Sequence, residues 1–508
     1  MKCLNECFLS QNVFFKTFQQ ESTRLTNILD LIITEEQERV YELRPGSVLG
    51  GKEHGHLSLS WIYKTKEKEK TFGDKFRSTK LNYKRGDYVG MNIFFENNNW
   101  VNIFEGKSIR EGYRLFVNKY SEACEIYVPR IKESKRRIRP PWLSKELKSM
   151  MRSKQVKWCK FVSGGRKDIM SYEVYKEQCK LVKQTMNKNI SEYELSLASN
   201  YAKNPKELYG YMKSKQKVNE RIRSLNMKGG GNTTDKVEIS EILNEQFESV
   251  FSVDGGDEQV SERRTEAECN GEDIIHYEDI KGRLQNLNCD KSAGGDGVTQ
   301  RVLSKCSGIL ARALELLYKK ALVEGEIPEE WREANICPLF KKGSKLEASN
   351  YRPVSLTSVC SKVMEGIVRD HITNHLNNNN LISSKQHGFV RSKACVTNLL
   401  ECQHKVSEGI GANKSMDVLY TDFEKAFDKV SHRKLIIKLE AYGIGGNLLE
   451  WIRSFLRSRK QRVVMGAAVS TWRGITSGVP QGSVLGPLLF VVYINDLPDK
   501  IVNCFEMY

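Results

Sequence analysis

From residue 275 to its end the chain alternates short apolar runs with amphipathic helical stripes and places Pro and Gly at the turns between them, a pattern that suits a mixed α and β domain and little else. Leu448, Leu449, Ile452, Phe455 and Leu456 fall on one helical stripe, and Gly443 follows Leu435, Leu439 and Tyr442 where a helix would end in a left-handed residue. Within this region Met416 to Tyr420 reads as a short strand that runs through Thr421 into Asp422 and Phe423, with a helical segment opening near Lys425. Alternation along a strand sets Val418, Tyr420 and Asp422 on one face, so Asp422 stands at the strand's carboxyl end, where the sites of α/β and α+β folds gather. A carboxylate there can hold a hard cation such as Mg2+, which takes few protein ligands and shares substrate phosphates. It can equally cap the helix that follows, and these residues alone leave both roles open.

Upstream, Ile28 to Ile33 and Leu57 to Ile62 read as strands, and residues 64–128 as a connector with an Asn-rich turn at Asn97 to Asn99. Helical spacing resumes after Pro140-Pro141-Trp142, at Leu143, Leu147, Met150 and Met151, and returns at Ile239, Ile242, Leu243, Phe247 and Val250. Gly229 to Asn232 and the acidic run from Asp254 to Asp273 read as loops. The resulting division is 1–62, 63–129, 130–253, 254–274 and 275–508.

Charge is the second constraint. The net charge is +17, and residues 131–230 alone hold 25 Lys and Arg against 9 Asp and Glu, so one stretch is built to meet a polyanion. The longest apolar run, Val484 to Ile494, is far too short to span a bilayer, which favours nucleic acid over a membrane. The 13 cysteines are scattered without a C-x-x-C pair, as suits a reducing, intracellular compartment with free thiols. His371 and His375, four apart on a helical stretch, lack a third ligand nearby and read as polar residues on a solvated face rather than a metal site.

Three blocks change the weight on Asp422. They are Asn350-Tyr351-Arg352-Pro353-Val354-Ser355-Leu356, Asp422-Phe423-Glu424-Lys425-Ala426-Phe427-Asp428 and Gly478-Val479-Pro480-Gln481-Gly482-Ser483, supported by Gly294 to Gly297, Pro338 to Gly343, Gln386 to Phe389 and Pro487 to Phe490. In this order they resemble the non-LTR (LINE-type, jockey-like) retrotransposon reverse transcriptases. The resemblance implies an α+β right-hand polymerase, with fingers and palm in 275–508 behind the basic helical region. It implies that Asp422 and the Phe423 carbonyl help to hold two Mg2+ ions for transfer of a deoxynucleotide to a primer 3′-hydroxyl. It makes Phe427 the ring that excludes a 2′-hydroxyl, and Gln481 and Gly482 the lining of the nucleotide pocket. Lys341 or Lys342, with Arg352, would close on the triphosphate, and Asp428 is expected to be structural, tying the helix down. The implied partners are an RNA template, a DNA primer or nicked target and dNTPs, and the implied location a cytoplasmic ribonucleoprotein and the nucleus.

The first 62 residues resemble, around Arg24 to Thr34, the last third of the endonuclease that precedes the polymerase in these elements. There Asp30 would orient His54. Lys52-Glu53 stand where the family places Ser-Asp, and the earlier half of the fold is missing, so this segment is expected to be an inactive α/β remnant. In the same way Asn503 to Tyr508 resembles the strand leading into the family's Ala-Asp-Asp turn, so the chain as written is expected to be inactive. The alternative from another class is a non-enzymatic nucleic-acid-binding remnant of a degenerate mobile element. The cluster Lys135-Arg136-Arg137-Ile138-Arg139 fits an RNA-contacting surface, a nuclear localisation signal or a solvated loop.

Overall fold

The structure, a computed structural model, describes residues 10–21, 24–34, 39–49, 55–64, 81–131, 140–202, 204–215, 222–252, 264–415 and 417–500. The chain divides into two compact units, Met1–Ile131 with Ile222–Tyr508, and Lys132–Arg221.

In the first unit six strands come early: β1 (Ser10–Gln11), β2 (Phe18–Glu21), β3 (Arg24–Leu25), β4 (Ile33–Thr34), β5 (Val40–Val48) and β6 (Gly55–Tyr63). β1 pairs with β4, and the others form a sheet in the order β3-β2-β6-β5. The strand expected at Leu57 to Ile62 lies within β6, but that at Ile28 to Ile33 survives only at its end. The Leu29 and Asp30 N–H groups donate instead to the Thr17 hydroxyl, at 3.0 and 3.1 Å, which removes donors a ladder would need, and Ile28, Leu29 and Leu31 stay exposed.

The stretch expected to be a connector instead carries three helices, Tyr88–Glu96, Trp100–Phe104 and Ile109–Tyr127. Each has a side-chain cap: Asp87 accepts from the Val89 and Gly90 N–H groups, Asn99 from Asn102, and Ser108 forms a reciprocal box with Glu111. Their buried aromatics Phe95, Trp100, Phe104, Tyr113 and Phe116 join the core built on helix Ser307–Glu324. Tyr88–Glu96 and Trp100–Phe104 are too short for a clear periodic signal, but the 19-residue Ile109–Tyr127 carries a helical stripe at Ile109, Tyr113, Phe116 and Tyr120 that sequence reasoning missed.

The later part of this unit is organised on a second sheet. A hairpin of β7 (Leu225–Asn226) and β8 (Asn232–Thr233) turns at Gly229 to Gly231. Then β9 (Glu333–Phe340) and β10 (Tyr351–Leu356) pair antiparallel, β11 (Lys460–Met465) runs parallel to β9, and β12 (Ala468–Val469) and β13 (Arg473–Gly474) pair with β11. Helix Lys236–Glu248 supplies Ile239, Leu243 and Phe247 to a buried layer with Ala334, Ile336, Tyr351 and Val463 of the sheet. Helix Gly446–Leu456 buries the stripe read from the sequence, and Gly443 adopts φ +82° behind helix His432–Ala441. His371 and His375 are not merely solvated: their Nε2 atoms lie 2.9 and 2.8 Å from the Asn270 and Tyr442 carbonyls.

The second unit is a helical hairpin of Lys145–Ser163 and Ile169–Ser199, followed by helix Pro205–Lys215. Ser144 and Asp168 cap its two long helices. Trp158 packs on Tyr175 and Phe161 on Tyr172, at ring separations of 4.9 and 5.1 Å, so these aromatics zip the hairpin. Among the described residues no helix is long and apolar enough to cross a membrane.

Candidate active site

The turn Ser477–Ser483 is where the residues read from the sequence converge. Its backbone is pinned to the segment after Asp422: the Val479 N–H donates to the Phe427 carbonyl at 2.8 Å, the Gly478 N–H to Val430 at 2.7 Å, and the Ser477 hydroxyl to the Asp428 carbonyl at 2.7 Å. Gly478 has φ +88°, and a Cβ there would stand 2.6 Å from the Phe427 carbonyl oxygen and 2.8 Å from the Asp428 Cα, so only glycine permits the approach. On its other side the turn meets β10. Ser355 donates its N–H to the Gln481 carbonyl at 3.1 Å, and a Cβ on Gly482 would come within 2.9 Å of the Ser355 carbonyl oxygen.

Two carboxylates hold this turn. Asp428 accepts from the Gln481 amide, Nε2 lying 2.9 and 3.0 Å from its two oxygens. Burial pushes the Asp428 carboxyl above its ordinary pKa, against the pull of the Gln481 bond. Glu365, fully buried on helix Val359–Asn378, accepts from the Val484 and Leu485 N–H groups at 2.7 and 3.3 Å. It thereby satisfies donors at the start of helix Gly486–Ile494, where a negative charge is favoured. Behind the turn lies a cavity of about 30 Å3, lined by Asp428, Gln481, Gln461 and the buried Arg459. Burial pushes the Arg459 guanidinium down to about 10, opposed by the charge of Glu365. Sequence reasoning missed Glu365 and Arg459, which stand in no motif; Asp428, expected to tie down the following helix, is bonded instead to Gln481.

Phe427 packs nearly parallel on Phe490, at 4.8 Å and 18°, and edge-on to Phe389 at 5.8 Å. Arg352 is exposed on β10, and Lys341 and Lys342 are exposed in the connection between β9 and β10. Phe427, Gln481, Gly482 and the strand bearing Arg352 are therefore brought together through named bonds.

Asp422 differs from expectation. Residues 417–423 form no strand, and Val418, Leu419, Tyr420 and Phe423 are exposed, Leu419 to 89%. No described strand lies alongside to complete a ladder, so the apolar alternation has nothing to bury against. The helix expected near Lys425 is a turn as well. Lys425 has φ +54°, and the Phe427 and Asp428 carbonyls are taken by Val479 and Ser477, leaving the next helix to begin at His432. Among the described residues no three His, Cys, Asp or Glu side chains gather as a metal site. The Asp422 carboxylate and the Phe423 carbonyl are oxygen donors of the kind a hard cation takes.

At the amino-terminal end, Asp30 pairs with His56 on β6, Oδ2 to Nδ1 2.9 Å, and that hydrogen bond holds the Asp30 carboxyl below its ordinary range. The expected partner, His54, lies outside the described residues, as do Lys135 to Arg139 and Asn503 to Tyr508. The signal for His56 was its place at the start of the Leu57 to Ile62 strand.

Residues 340–508 match the family model described as reverse transcriptase (RNA-dependent DNA polymerase). The chain is 29% identical over 231 residues to the probable RNA-directed DNA polymerase from transposon BS of Drosophila melanogaster, covering 44% of this chain and 25% of that protein. It is 23% identical over 408 residues to the RNA-directed DNA polymerase from mobile element jockey of the same organism, covering 78% of this chain and 44% of the relative. A third relative, the probable RNA-directed DNA polymerase from transposon X-element, is 27% identical over 217 residues, 42% of this chain and 24% of its own. The chain thus spans between about 24% and 44% of the length of these relatives.

Proposed function

Because the chain carries a reverse transcriptase domain of the non-LTR retrotransposon type, we propose that it works in RNA-templated DNA synthesis, as the fingers and palm of a right-hand polymerase. In the proposed reaction the primer 3′-oxygen attacks the α-phosphorus of a dNTP, a new phosphodiester bond forms, the bond to pyrophosphate breaks, and the hydroxyl proton leaves to solvent. Reverse transcriptases use a divalent cation such as Mg2+, which when bound stabilises the charge on the transferring phosphoryl group.

The chain's own residues take the remaining roles. Asp422 and the Phe423 carbonyl offer oxygen ligands beside the primer end. Phe427, braced from behind by Phe490, presents a ring edge where a 2′-hydroxyl would collide. Gln481 and Gly482 form the floor, Gly482 letting the turn seat closely against the Ser355 backbone of β10. Arg352, with Lys341 or Lys342, meets the triphosphate from the β9–β10 hairpin, where a guanidinium fork suits phosphate oxygens. The observation that carries this assignment is the bonded convergence of Phe427, Gln481 and Gly482 with the strand of Arg352.

The second reading is a nucleic-acid-binding protein without chemistry, favoured by the exposed, unladdered chain around Asp422. Equilibrium dNTP binding to the chain on a primed RNA template separates the two. The polymerase reading expects Mg2+-dependent dNTP binding that Asp422→Asn weakens at least tenfold while RNA binding is kept. RNA binding with no Mg2+-dependent dNTP binding supports the second reading instead.

A further inference from the structure

We propose that Asp428 is a positioning residue for the nucleotide pocket: its carboxylate fixes the Gln481 amide and, through it, the register of the Ser477–Ser483 turn against Phe427. This rests on the nucleotide-pocket role proposed above for Phe427, Gln481 and Gly482. Asp428 follows Phe427 directly in the chain, so one side chain links the aromatic wall of the pocket to its floor.

Three observations support the tether. Gln481 Nε2 lies within 3.0 Å of both Asp428 oxygens, which commits the amide nitrogen to the carboxylate and leaves the amide oxygen as the group able to accept from a ligand. The Ser477 hydroxyl and the Gly478 and Val479 N–H groups, bonded to carbonyls of residues 427–430, dock the stem of the turn, but none of these bonds reaches Gln481 or Gly482. Beyond the stem, Ser355 restrains Gln481 only at its carbonyl, so the orientation of its side chain depends on Asp428. Burial also makes the tether costly to lose, since a half-buried carboxylate and amide that part company each lose a partner that water replaces poorly.

The test uses the full chain with four variants, Asp428→Ala, Asp428→Asn, Gln481→Ala and the double alanine variant. Amide hydrogen exchange across residues 477–485 and dNTP binding on a primed RNA template with Mg2+ are read in parallel. Asp428→Ala is expected to speed exchange in the turn and to weaken dNTP binding roughly tenfold, the loss of about one charged hydrogen bond, with template binding unchanged. Asp428→Asn keeps one acceptor oxygen toward Gln481 and should recover most of the affinity. In the Gln481→Ala background the second substitution should add little, because the group it positions is already gone. A purely structural role would lower template and dNTP binding together and give additive effects in the double variant. Unchanged exchange in Asp428→Ala, or full additivity, overturns the proposal. If the unsubstituted chain binds no dNTP, the pocket reading falls, and the exchange measurement still decides whether Asp428 holds the turn.

Discussion

Phe427 shows how much of a residue's role its environment decides. Against Phe490 and Phe389 it is an ordinary packed aromatic, and the sequence block around it is what turns the same ring into a candidate sugar gate. Trimming it removes a proposed clash and touches no proposed metal ligand. Phe427→Ala is therefore expected to lower discrimination between dNTPs and rNTPs by roughly tenfold or more in binding to the primed complex, with Mg2+ dependence unaltered; equal discrimination in both chains removes the gate role. The sequence named the pocket residues because they sit in compact blocks. It separated Asp422 from a structural Asp428 but could not name the partner of Asp428, which lies in a turn some fifty residues away. The same limit hid the pairing of Asp30 with His56.

Ion pairs add to apolar packing where elements of this protein meet. Arg473 on β13 meets Glu241, Glu245 and Glu248, which fall on one face of helix Lys236–Glu248. Its removal leaves three like charges in a row. Arg473→Ala is expected to destabilise the first unit by about 1–2 kcal/mol, a partly exposed network being worth more than a single surface pair, visible as a lower urea midpoint; an unchanged midpoint rejects the clamp. Helices Tyr277–Gln285 and Val359–Asn378 are joined by Arg283, which donates to Asp279 and, at 2.7 Å, to Asp370. Burial works to raise the Asp370 carboxyl, but the Arg283 and Arg369 bonds outweigh it and hold the pKa below its ordinary value. A depressed carboxylate contributes stability that is complete above the unfolded pKa and is lost as pH falls through the folded one. The midpoint should thus decline from about pH 4 downward, and Asp370→Asn should flatten that limb. An identical acid limb in both chains assigns the acid sensitivity elsewhere. Long periodic helices such as Gly446–Leu456 were legible in advance because packing and pattern agree. Of the strand expected at Met416 to Tyr420, the described residues 417–420 form none, since alternation specifies a strand only where another strand offers its edge. Apolar side chains are left open there and at Val396, Leu399, Leu400 and Ile410 of helix Cys395–Gly411.

At the scale of the whole chain, the uneven charge is the most robust feature of the sequence. The Lys132–Arg221 unit exposes Lys160, Lys180 and Lys183 on its helices and Arg166 and Lys167 in the connection between them. Trp158 and Tyr175, and Phe161 and Tyr172, pack on one another across the hairpin. Binding of RNA by this unit should accordingly be electrostatic and weakly selective, with log K falling against log salt by about 0.7 per phosphate contact; binding unmoved by salt points to a protein ligand. The polymerase assignment is tested most directly by primer extension on an RNA template, with the chain joined in frame to the region that follows the corresponding segment of its jockey relative. Mg2+-dependent extension of a DNA primer, abolished by Asp422→Asn with RNA binding retained, is the result expected. Extension that survives Asp422→Asn, or RNA binding with no extension at all, would contradict it.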